Sequence, residues 1–187
     1  MILDTQHYPI VDSTPANSFE TLVAVYYQLK GYITSSNKWF WTWEEGKRQR
    51  AYQDIDVLAV NGTETIIVSV TGSLDDKISS PGDHHLSADG LGRLQFFFDK
   101  AVSYLESVPQ YSWMVGNERQ IRKVLVFGGS DQSAAKFLDP LSEHGIELLS
   151  GEQTVRCFKE ELSKLSKLGY RASNEFVKIA HMMNAYG

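Results

Sequence analysis

The sequence predicts an α/β fold: a mixed central sheet, made of a three-stranded antiparallel meander plus further strands, flanked by helices. Three observations predict it. Helix-periodic segments stand near residues 18–30 and 87–108. Between them lie β-rich runs separated by turn signals, and beyond them "RKVLVFGG" forms a short apolar strand of the kind buried in a sheet.

In "NSFETLVAVYYQLKGY" the residues Leu22, Val23, Tyr26 and Leu29 recur at helical spacing, and Gly31 is placed to end the helix. "KWFWTWEEGKRQRAYQDIDVLAV" alternates as two strands about a turn at Glu45 and Gly46. "NGTET" turns the chain again into "ETIIVSVTGS", so the meander covers about residues 38–71. "SLDDKISSPGDHHLSADG" is polar and bears Gly and Pro, which predicts a mobile loop. The next helix carries Leu91, Leu94, Phe97, Phe98, Ala101 and Leu105 as its apolar stripe. "DQSAAKFLDPLSEHG" reads as a helix interrupted or restarted at Asp139 and Pro140, "IELLS" as a last strand, and 152–167 and 173–185 as terminal helices. One domain over 1–187 is expected, with 17–150 as its core and 151–187 as C-terminal helices.

The chain has 187 residues, 42% of them hydrophobic, enough for one real core. No apolar run reaches the ~20 residues of a membrane span, and the N-terminus lacks the pattern of a signal peptide, so no membrane partner is expected. A single cysteine, Cys157, makes no internal disulfide and fits packing in a reducing, cytoplasmic setting. The net charge of −5 excludes a general basic field for nucleic acid. Binding would need a local patch, and "GKRQR", with Lys47, Arg48 and Arg50 beside the alternating Trp39, Trp41 and Trp43, is the best one. The same basic residues also balance Glu44 and Glu45 in a solvated turn. His84 and His85 are adjacent and offer no zinc spacing. "VFGGSDQS" lacks the lysine of a P-loop and reads as a turn capped by Ser130 or Asp131.

Two carboxylates stand out. Asp54 and Asp56 lie two apart in a strand and should share a face, with Ile55, Val57 and Ala59 on the other. Carboxylates in an apolar strand are costly unless solvated, paired or bound to a cation, and converging ones suit a hard divalent ion. Ser69 and Thr71, also two apart, place two hydroxyls near the end of the following strand.

On Glu20, "DIDVLAV" and "IIVSVTGS", within a helix–meander–helix–strand order over residues 17–130, the sequence resembles the PD-(D/E)xK, or restriction-endonuclease-like, nuclease superfamily. The resemblance implies that Asp56 is the strand acid of an Mg²⁺ site and Glu20 the helix glutamate, with Asp54 as a further metal ligand. Ser69 and Thr71 then stand at the Glu-x-Lys positions, so the catalytic motif is degenerate. Glu20 also matches a capping box with Asn17. Serine is a weak, neutral ligand and threonine has no positive charge, so standard metal-dependent hydrolysis should be lost. Three functions follow as expectations. The chain binds nucleic acid or a protein partner without hydrolysis; or it is an active Mg²⁺-dependent endonuclease with a lysine relocated to Lys77 or Lys100; or it is a structural subunit or inhibitor in a larger assembly.

Overall fold

The computed structural model describes residues 18–42, 51–79, 87–116 and 118–167. The order is helix α1 (Ser18–Leu29), strands β1 (Ile33–Thr42), β2 (Ala51–Val60) and β3 (Glu64–Thr71), helices α2 (Leu74–Ile78) and α3 (Ala88–Ser107), strand β4 (Gln120–Phe127), helix α4 (Asp131–Ser142), strand β5 (Ile146–Ser150) and helix α5 (Gly151–Lys167). The five strands form one mixed sheet in the order β1-β2-β3-β4-β5. The first three pair antiparallel, and β4 and β5 continue the sheet parallel to β3. The α/β class and the mixed sheet flanked by helices are as the sequence predicts.

Two cores lie on opposite faces of the sheet. Leu94, Phe97 and Phe98 of α3 and Phe137 and Leu141 of α4 pack with Ile67 and Leu125 on one face. Val23 and Tyr27 of α1 and Phe158 and Leu162 of α5 pack with Val68 and Val124 on the other. Cys157 is packed against this second core, as its apolar context suggests.

Local chemistry fixes the ends. Gly31 takes φ 87°, and the bonds from Tyr32 N–H to Tyr27 O and from Gly31 N–H to Gln28 O close α1 as a Schellman motif. The Asn61 side chain accepts from the backbone N–H groups of Thr63 and Glu64, setting the turn into β3. Ser130 caps α4 by accepting from Ser133 N–H. At the start of β3, Arg122 bridges Glu64 and Glu147, while Glu64 also accepts from the Tyr32 hydroxyl.

Three expectations need correction. The segment after β3 is not all loop: Leu74 and Ile78, four apart, are both buried and hold the short α2 against α3. Helix α4 runs through Pro140 to Ser142: the proline loses one N–H bond, and the burial of Leu141 in the core offsets this. Strand β1 starts at Ile33, five residues before the expected start near residue 38, since the polar run "TSSN" hides it. The turn at Glu45 and Gly46, the histidines at 84 and 85 and the helix at 173–185 lie outside the described residues.

The α2–α3 junction is tight. The Ser87 N–H and hydroxyl both donate to Ile78 O, and Ser87 caps α3 by accepting from Gly90 N–H. A Cβ at Gly90 would lie 2.1 Å from that same backbone oxygen, whereas one at Gly92 would meet nothing within 4 Å. In urea denaturation, Gly90→Ala is therefore expected to cost about 2–4 kcal/mol. Gly92→Ala, in the same helix, should add up to about 1 kcal/mol of stability. Equal effects at the two positions would contradict the close approach.

Candidate functional site

The β2–β3 ladder ends at Val57↔Val68, so the two strands part just where Asp56 follows on β2. Its carboxylate fills the fork: Oδ2 accepts from Val70 N–H at 2.6 Å. The side chain takes the place of a backbone acceptor and extends the pairing of the sheet by one bond.

On its other side β2 keeps a constant register with β1, Ser36↔Val57 and Lys38↔Ile55, which sets Asn37 opposite Asp56. Asn37 is buried and has φ 53°, a left-handed conformation inside a strand. Asparagine tolerates this better than most residues, and the cost is about 1 kcal/mol. The alternation of faces slips at this pair. Val57 and Ala59 point to the α1 side, while Ile55 packs on the α3 side with Phe40. The expectation that Ile55, Val57 and Ala59 share a face is thus corrected, and the cause is the irregular backbone at Asn37 and Asp56. A period of two carries no sign of such a slip. The polar "SSN" within a strand was its only trace in the sequence.

Four of the expected residues act on one another here. Burial is the main influence on Asp56 and raises its carboxyl from 3.8 to about 6; the Val70 N–H opposes this, Asp54 adds to it, Lys77 opposes it and Glu20 adds to it. Asp54, Glu20 and Lys77 are therefore close enough to Asp56 for their charges to be felt.

The hydroxyl pair is placed differently. In β3, Ile67 faces the α3 side and Val68 the α1 side, so Ser69 and Thr71 fall on the α3 side. Ser69 is 1% exposed and sits beside Leu125 in the parallel ladder. The Thr71 hydroxyl donates to Ser73 O at 3.0 Å. Glu20 belongs to α1, which packs on the opposite face. Glu20 and Asp54 are felt at Asp56, whereas Lys77 of α2, also felt there, holds its ammonium 6.0 Å from the Phe97 ring centre, on the α3 side with Ser69 and Thr71. Lys100 lies on α3 with its ammonium 5.3 Å from the Phe96 ring centre. Lys47, Arg48 and Arg50 lie outside the described residues.

One oxygen of Asp56 is committed to the sheet, and the Lys77 charge is felt at its carboxyl. Among the described residues no three carboxylate, imidazole or thiol groups form a cluster that could hold a metal.

Part of the aromatic surface of β1 and β2 is open to solvent. Trp39 is 37% and Tyr52 56% exposed, and their rings meet edge to face with centroids 6.3 Å apart. Trp39 stands opposite Asp54 in the ladder, so Trp39, Tyr52 and Asp54 share the α1 side of the sheet.

Compared with protein-family models, curated proteins and solved structures, the chain gives no significant match to any of them. No helix among the described residues is long and apolar enough to cross a membrane.

The raised carboxyl of Asp56 makes a testable demand on stability. The native state holds its proton to higher pH than the unfolded chain does, so folding stability falls as pH rises from about 4 through about 6. Asp56→Asn keeps an oxygen for Val70 N–H and removes the buried charge. It is expected to raise stability by about 2 kcal/mol above pH 7, with the gain vanishing below about pH 4. Thermal melts of both proteins across this range check it. A gain of equal size at every pH would show that the charge is not its source.

Proposed function

We propose that this chain is a protein of the PD-(D/E)xK nuclease type that has lost standard metal-dependent hydrolysis and works by binding nucleic acid or a protein partner. The order of helix, three-stranded antiparallel meander, helix and parallel strand supports the likeness, because the resemblance rests on that order. One observation carries the loss of hydrolysis. The β3 positions where the superfamily places its acid and lysine hold Ser69 and Thr71, which face α3, with Ser69 sealed in the core and Glu20 across the sheet. A buried serine neither binds a cation strongly nor touches a phosphate, and the charge stabilisation of one such group is worth about 10²–10³ in rate.

A second reading, an active Mg²⁺-dependent endonuclease, is favoured by Lys77. It lies in α2, directly after β3, and its charge acts on Asp56, as a relocated lysine would. Activity separates the two. With Mg²⁺ or Mn²⁺, the purified protein is expected to leave single- and double-stranded DNA and RNA uncut relative to a protein-free control. Cleavage that disappears in both Asp56→Ala and Lys77→Ala would replace the binding reading with the catalytic one.

A further inference from the structure

We infer that Asn61–Gly62, in the turn between β2 and β3, is a latent site of covalent self-modification that Arg119 holds closed. When the latch opens, Asn61 converts to aspartate or isoaspartate. The inference stands apart from any binding or catalytic role of the chain.

The chemistry needs only the chain and water. Gly62 N, on losing its proton, attacks Asn61 Cγ; the N–Cγ bond forms, the Cγ–Nδ2 bond breaks, and ammonia leaves with that proton. Water then opens the succinimide ring at either carbonyl. Opening at one gives aspartate, and opening at the other gives isoaspartate with one more methylene in the backbone. A glycine after the asparagine favours the step, because no side chain crowds the attacking nitrogen. Gly62 and Thr63 are exposed, so water has access to the ring once it forms.

The structure holds both reacting groups away from this path. The Asn61 side-chain oxygen accepts from Thr63 N–H at 2.8 Å, from Glu64 N–H at 2.9 Å and from the Thr63 hydroxyl at 3.2 Å. Two backbone donors fix which end of the amide is oxygen, and they fix where Cγ lies. The nucleophile is held from the other side. Gly62 N shares a rigid peptide plane with Asn61 O, and Arg119 Nη2 donates to that oxygen. Arg119 Nη1 donates to Gly62 O, in the next plane, at 3.1 Å. For Gly62 N to turn onto Cγ, the first plane must rotate and the guanidinium must release it.

Arg119 is itself well placed to hold. Its guanidinium carbon lies 5.4 Å from the centre of the Trp113 ring, and its own N–H donates to Gly116 O. The next residue ties the same turn to β4, since Gln120 N–H donates to Thr63 O. The latch thus spans 58 positions of sequence, and the turn stays closed only while β4 is seated beside β3. Opening of this end of the sheet would be recorded chemically, because an isoaspartate lengthens the turn that sets the β2–β3 register.

The test incubates the full chain in mildly alkaline buffer and follows Asn61 by peptide mass spectrometry and isoaspartyl methyltransferase labelling. The folded parent is expected to convert at least about tenfold more slowly than the same chain in urea, and Arg119→Ala to convert about tenfold faster than the parent while folded. Gly90→Ala weakens the fold at a distant place and should stay within about twofold of the parent. Should Arg119→Ala fail to fold, Arg119→Lys keeps the charge without the two-pronged fork and is expected to accelerate conversion by about threefold or more. Conversion of the folded parent as fast as the unfolded chain would overturn the inference. So would an unchanged rate in the folded Arg119 variant, or acceleration by Gly90→Ala equal to that by the Arg119 change.

Discussion

Strands β3 and β4 are buried on both faces, and this constraint organises the molecule. Ile67 and Leu125 on one side and Val68 and Val124 on the other have no exposure at all. Each such side chain contributes about 1.5–3 kcal/mol when water is removed from it, so helices are needed on both faces of the sheet. The pairs α3 with α4 and α1 with α5 meet that need. The same burial obliges polar groups in these strands to find partners within the protein. Thr65 donates to Met114 O, and Asp56 accepts from Val70 N–H. The candidate site lies where two-sided burial gives way, at the fork between β2 and β3.

Much of the fold was legible because it rests on local signals. The stripe of α3, the glycine that ends α1, the Asn61 turn and the Ser130 cap each depend on residues a few positions apart. What escaped depends on partners far away in sequence. Helix α2 is one turn long and exists because Leu74 and Ile78 find the core beside α3. The early start of β1 is imposed by pairing with β2, against the weak β-preference of Ser35, Ser36 and Asn37. Helix α4 continues past Asp139 although Pro140 forfeits an N–H bond, because Leu141 just beyond it is fully buried in the core.

The candidate site was legible in its membership more than in its geometry. Asp54 and Asp56 could be named from their spacing in a strand, Glu20 and Lys77 only through the resemblance, and the charges of Asp54, Lys77 and Glu20 are felt at Asp56. The side of the sheet taken by Ser69 and Thr71 could not, because the phase of β2 changes at Asp56 while that of β3 does not. Relative facing between two strands is a property of their pairing, and neither strand records it alone. The exposure of Trp39 and Tyr52 was hidden for the same reason. Alternation puts aromatic residues on one face but does not say whether a helix covers it.

The slip at Asn37 and Asp56 also bears on how this surface can change over time. Beyond that pair, one phase of the alternation directs Phe40 inward and leaves Trp39 outside, and the opposite phase would exchange them. Register between β1 and β2 is the same in either case, so the exchange leaves the loop and the strand lengths as they are. Two backbone positions thus decide which of two sets of side chains the paired strands offer to their surroundings. A lineage altering only these positions would acquire a different outward chemistry on an unchanged scaffold.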